Sequence, residues 1–146
     1  MDPTQTAGSK VAADISALLR ARNPLLWIVT REEGRAERFI MEAAQSITYE
    51  PRFWDCANGI TNFNGEPKER GREAADPQVV LATIRDSKAR QVWILRDLPK
   101  FLADPFVNRA LRSLARALPT APRDQARAVV VITPSNEVPP ELAGHA

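Results

Sequence analysis

The sequence predicts an α/β fold, a three-layer sandwich built on a mainly parallel sheet. Two observations carry that expectation. First, the apolar runs Leu25–Val29, Val92–Leu95 and Ala128–Ile132 are unbroken and of strand length, as in strands covered on both faces. Second, segments of helical spacing lie between them, so strand and helix alternate along the chain. At 146 residues the chain suits one domain with a real core.

The elements follow in order. Residues 1–9 are small and polar and are expected to be disordered, with a single α/β domain over 10–142 and a tail at 143–146. Val11, Ile15, Leu18 and Leu19 share a helical face, which predicts a first helix over Lys10–Arg22, ended by Asn23-Pro24. The strand Leu25–Val29 runs into Thr30, read as an N-cap, with Glu33 at capping-box spacing. Phe39, Ile40, Ala43, Ala44 and Ile47 give that second helix its apolar face. Tyr49–Asp55 reads as a second strand, and Pro51 suggests that it lies at a sheet edge. Residues 58–76 carry Gly59, Gly65, Pro67 and Gly71 and read as a long, flexible surface loop.

Asp76-Pro77 and Asp104-Pro105 each pair an N-cap with proline at the first helical position. The first opens a short helix to about Lys88. The second opens a longer one whose buried face is Phe106, Val107, Ala110, Leu111, Leu114 and Leu118. The strand Gln91–Arg96 precedes Asp97, and the strand Ala128–Thr133 precedes Pro134-Ser135-Asn136.

Composition narrows the function. Apolar residues make up 44%, charged residues 26%, and the net charge is +2, which describes an ordinary soluble domain and does not by itself call for nucleic acid. Cys56 and His145 are the only Cys and His, so no disulfide forms within the chain and no Cys/His zinc site has a ligand set. No apolar stretch reaches membrane-span length and the N-terminus lacks a signal-peptide core, so the expected location is cytoplasmic.

In open parallel sheets ligands bind outside the carboxyl ends of the strands. The first such end, Thr30-Arg31-Glu32-Glu33-Gly34-Arg35, has one glycine, no Lys-Ser/Thr pair, and two carboxylates at the positive end of a helix. Those carboxylates satisfy free N–H groups and repel a triphosphate, so the turn does not read as a phosphate loop. Asp97 stands where a P-loop ATPase holds magnesium, but Leu98 follows it where a base is needed. Thr133, Ser135 and Asn136 stand where a γ-phosphate sensor would be, and Pro134-Ser135-Asn136 equally suits ordinary turn chemistry. Glu32 and Glu33 read as cap residues, and Cys56 as a buried or inert thiol. Arg109, Arg112 and Arg116 form a helical stripe that suits phosphates, an acidic partner or plain solvent. Phe101 and Phe106 nearby read as core, which leaves no stacking platform.

Three stretches, LLRARNPLLWIVTREEGRAERFI, VWILRDLPKFLADPFVNRALRSLARAL and VVVITPSNEVPPEL, carry a resemblance. Together they resemble the N-terminal region of the AAA+ ATPases of the uncharacterised chloroplast-reading-frame (Ycf) type, a family also found in bacteria. The resemblance covers roughly Ile15 to Leu142. It implies a P-loop NTPase core of AAA+/RecA-like order without a Walker A loop. The strand Leu25–Val29 would then lie beside the Thr133 strand, then the Asp97 strand, then an edge strand near Phe53. It also implies that catalytic lysine, magnesium ligands and arginine finger belong to a later ATPase module of a longer parent, where ATP and magnesium would act. A further strand would be expected after Leu142, so the chain reads either as a fragment of a longer ATPase or as a free-standing relic.

The expected function is therefore non-catalytic: an assembly, regulatory or substrate-recruiting module of an AAA+ ATPase, with no catalytic residue, metal or cofactor of its own. Its partner would be another protein or the ATPase module of the same protein, and no membrane. Two alternatives stay open. One is weak ATP binding at Asp97, Thr133 and Ser135. The other is a nucleic-acid adaptor using Arg109, Arg112 and Arg116.

Overall fold

The computed structural model describes residues 7–62, 67–69, 75–134 and 139. Residues 1–6 of the expected disordered N-terminus, the 143–146 tail and Ser135 lie outside these residues, whereas residues 7–9, expected to be disordered, open the first helix. The elements are α1 (Ala7–Arg20), β1 (Leu25–Val29), α2 (Glu33–Ser46), β2 (Glu50–Asp55), β3 (Gly59–Asn62) and β4 (Pro67–Glu69), followed by α3 (Pro77–Asp86), β5 (Gln91–Arg96), α4 (Pro105–Ala117) and β6 (Arg127–Thr133). They form one six-stranded sheet in the order β1-β6-β5-β2-β3-β4. The first four of these strands are mutually parallel, and β3 and β4 add antiparallel.

Side-chain alternation divides the core into two layers. Leu25, Trp93, Leu95, Val129 and Val131 pack toward α3 and α4 with Val80, Ile84, Leu111 and Leu114. Leu26, Phe53, Val92, Ile94, Val130 and Ile132 pack toward α1 and α2 with Leu19, Ile40 and Ala44. This two-sided burial is why the strands read as unbroken apolar runs.

Both Asp-Pro starts form as expected. The Asp76 carboxylate accepts from Gln78 N–H at 2.8 Å, and the Asp104 carboxylate accepts from Phe106 N–H at 2.9 Å. The far end of α3 is closed by Arg127, whose Nη1 donates to the carbonyls of Ile84 at 2.7 Å and Arg85 at 2.9 Å.

Several expectations are corrected. The Thr30 capping box does not form. The N-cap is Glu32, and Thr30 Oγ1 instead accepts from Glu32 N–H at 3.0 Å in a tight turn. The 58–76 stretch is not all loop, since Gly59–Asn62 pairs with β2 and Pro67–Glu69 pairs with β3. Consequently β2 is internal and not an edge strand. Pro51 is tolerated there because Glu50 N–H points to Arg90 on the β5 side, which turns the Pro51 nitrogen the other way. On that side the ladder to β3 begins at Arg52. Leu18 and Phe106 are exposed, not core, and Cys56 is exposed, not buried. Among the described residues no helix is long and apolar enough to cross a membrane.

Candidate functional site at the carboxyl ends of the strands

The parallel strands β1, β6, β5 and β2 all end on one side of the sheet, and β5 ends in Arg96. Alternation puts Arg96 on the same face as Ile94, the face covered by α2. Phe53 and Asp55 of the neighbouring β2 share that face. From α2, Glu33 and Glu37 project at helical i,i+4 spacing. Four charged side chains therefore converge from three elements.

Arg96 is the hub. Its Nε donates to Glu37 Oε1, its Nη1 donates to Asp55 Oδ2 at 3.1 Å, and Glu33 Oε1 lies 3.7 Å from Nε. The guanidinium sits over the Phe53 ring, 5.0 Å from its centroid. The side chains of Glu37 and Asp55 are only 12% and 16% exposed, so these pairs are less screened by water than a surface salt bridge is.

Titration follows from this packing. Burial favours neutral Arg96, but the bonds to Glu37 and Asp55 and the Glu33 charge outweigh it and raise its pKa. Burial would raise Asp55 as well. The Asn58 side chain, the Asn58 and Ala57 N–H groups and Arg96 together pull it below the ordinary aspartate value. Glu33 moves the other way: burial and the nearby Glu37 charge raise it, with Arg96 only partly compensating.

The expected nucleotide residues are placed as follows. Asp97 adopts a left-handed backbone, φ 58°, makes no side-chain cap bond, and its N–H donates to Ile132 O at 3.0 Å. Thr133 ends β6, is buried, and its carbonyl accepts from Thr30 N–H at 2.9 Å. Pairing of Arg96 with Ile132 brings Asp97 and Thr133 to adjacent strand ends. Ser135 lies outside the described residues. Arg109 and Arg116 are exposed on α4, whereas Arg112 is half-buried, with Nε buried and without a hydrogen-bond partner. Among the described residues no group of three or more His, Cys, Asp or Glu is placed to hold a metal ion.

Sequence reasoning missed the Arg96 hub. Its members lie 41 and 59 residues from Arg96 in the chain, a separation no local motif bridges. One signal was available. Asp55 opens a turn in which its Oδ1 accepts from Ala57 and Asn58 N–H, and Asn58-Gly59 is a hairpin dipeptide, with Gly59 at φ 71°.

A parallel core in the order β1-β6-β5-β2 with helices on both faces defines the class: an α/β domain of the kind associated with AAA+ ATPases. The profile of the SpoVK-like AAA ATPase N-terminal domain matches residues 11–146, and the chain belongs to that family. Among curated proteins it is similar to the uncharacterised AAA domain-containing protein ycf46 of Guillardia theta, 33% identical over 133 residues and 89% of this chain. It is likewise similar to the ycf46 protein of Pyropia yezoensis, 29% identical over 129 residues and 86% of this chain. The chain spans 25% of the length of each of these relatives. No solved structure matches it significantly.

Proposed function

We propose that this domain is a non-catalytic module of an AAA+ ATPase, serving assembly, regulation or substrate recruitment in the cytoplasm while another part of the parent protein hydrolyses ATP. The single observation that carries the reading is the ion cluster around Arg96. The arginine at the strand ends is already paired with Glu37 and Asp55, with Glu33 alongside. An incoming triphosphate would meet these carboxylates and Asp97, and would have to displace partly buried ion pairs to reach a cation. The adjacent turn, Thr30-Arg31-Glu32, is closed by its own hydrogen bond. The exposed single cysteine suits a reducing compartment.

The test is thermal unfolding of the domain with and without millimolar Mg-ATP, for wild type and Asp97→Asn. Ligand binding to the folded state raises stability by about 2.7 kcal/mol at a hundredfold excess over Kd, so a specific site is visible. The expected result is no saturable shift in either protein. A saturable shift that disappears in Asp97→Asn would establish nucleotide binding at Asp97 and overturn the proposal.

A further inference from the structure

We propose that the outer face of α3 and α4 is a docking groove for an acidic amphipathic helix of a partner protein. The inference rests on the recruiting-module reading and supplies the surface and the chemistry of the recruited partner. The two helices flank a groove of about 460 Å³, lined by Leu81, Ala82, Ala110, Ser113, Leu114 and Ala117. Ala82, Ala110, Ser113 and Ala117 are small enough to let a third helix approach closely, and Gln78 and Arg85 line the groove beside them.

Two observations set the chemistry of the occupant. First, Phe106 lies on the same face of α4 as Ala110, Ser113 and Ala117 by helical spacing, and it is 72% exposed. It is the most exposed large hydrophobic side chain among the described residues, and it lies one turn before Ala110, which lines the groove. Second, α4 carries Arg109, Arg112 and Arg116 and no carboxylate. No ion pair engages these arginines among the described residues. Arg109 and Arg116 lie along one side of the Phe106 face seven residues apart, roughly 10 Å along the axis at 1.5 Å per residue. Carboxylates two turns apart on a facing helix match that spacing, with leucine-like side chains between them over the groove. Arg85, at the far end of α3, is the one arginine that lines the groove itself, and it is paired with Asp86.

A nucleic acid fits these features less well. Phosphate contacts need the arginines but not the groove, and a single-strand platform needs aromatic side chains in succession where this face offers one.

The experiment uses fluorescence anisotropy with a labelled helical peptide of about four turns carrying a leucine stripe flanked by glutamates. A counterpart with lysine at every glutamate position and a labelled oligothymidine are run beside it. Wild type is expected to bind the glutamate peptide at least about tenfold more tightly than the lysine peptide. Arg109→Gln/Arg116→Gln and Phe106→Ser, both at exposed positions, are each expected to weaken binding by about tenfold or more. Ser113→Trp, which fills the groove, is expected to do the same while the melting temperature stays near wild type. Failure of wild type to bind, equal affinity for both peptides, or binding indifferent to Ser113→Trp overturns the inference. So does tighter binding of oligothymidine that depends on the arginines alone, which marks a nucleic-acid surface. Mg-ATP binding addresses the non-catalytic reading separately, so either proposal can fail without the other.

Discussion

Arg96 Nη1 donates to Asp55 Oδ2 at 3.1 Å, joining the last residue of β5 to the last residue of β2. The same guanidinium reaches Glu37 on α2. One side chain thus ties two strands and the covering helix together at the carboxyl ends of the strands. Arg96→Leu leaves Glu33, Glu37 and Asp55 crowded without a counter-charge. Removing one partner of a buried pair costs about 3–5 kcal/mol, and partial exposure here lowers the expectation to about 2 kcal/mol. Urea unfolding with an unchanged m-value checks it, and Arg96→Lys should recover part of the loss, since it keeps the charge but not the planar fork.

Glu33 and Asp55 respond to pH in opposite senses. The Glu33 pKa is raised above its ordinary 4.5 by burial and by Glu37. Just above that value the folded protein holds a proton the unfolded chain has lost, so stability falls as pH rises through the window between the two pKa values. Glu33→Gln removes this slope and is expected to be slightly more stable than wild type at neutral pH. The difference in unfolding free energy between the two proteins, followed from pH 7 down to about 4, should shrink. A difference that does not change with pH would contradict the assignment.

The Asp55 pKa is lowered, with hydrogen bonds from Asn58, Ala57 and Arg96 outweighing burial. Its contribution is therefore complete above its ordinary 3.8 and is lost as pH falls through the folded value below that. Asp55→Asn is expected to be destabilised at neutral pH and to unfold in acid with a shallower pH dependence than wild type. Acid titration followed by circular dichroism measures both.

The sheet was legible because its signals are local. Leu25–Val29, Val92–Leu95 and Ala128–Ile132 are continuous apolar runs within β1, β5 and β6, and Asp76-Pro77 and Asp104-Pro105 mark helix starts at those residues. What stayed hidden depends on partners distant in sequence. Pro51 suggested an edge because a proline lacks a donor, yet only the pairing of β3 shows which way the missing donor points. Gly59–Asn62 looked like loop because its neighbours are polar and glycine-rich, although Ile60 is buried. Phe106 read as core by type, but the first turn of α4 carries it outside the arc of Val107, Leu111 and Leu114. In the sequence Asp97 stands out because a strand ending in Asp has a known chemistry, whereas Arg96 acquires its role only from Glu37 and Asp55.

The two Asp-Pro caps give an independent pair of measurements. Each carboxylate satisfies an N–H of the first turn that proline cannot replace. Asp76→Ala and Asp104→Ala are each expected to cost about 1 kcal/mol. The caps sit on separate helices, so the double variant should be additive within about 0.5 kcal/mol. Strong non-additivity in chemical denaturation would mean that α3 and α4 start-points are coupled, which the structure does not suggest.

Asp97 separates conformational strain from ligand chemistry. A left-handed backbone costs an L-residue roughly 1 kcal/mol, less for aspartate than for most, and glycine adopts it freely. The Asp97 side chain makes no cap bond that glycine would lose. Glycine also has the more flexible unfolded chain, which offsets part of the relief. Asp97→Gly is therefore expected to leave stability within about 0.5 kcal/mol of wild type, whereas Asp97→Val, β-branched at the same φ, should lose about 1–2 kcal/mol. Thermal unfolding of the pair reads the difference directly. Because Asp97→Gly keeps the fold while removing the carboxylate, it also serves as a second control for Mg-ATP: under the proposed function its melting curve is as indifferent to nucleotide as that of wild type.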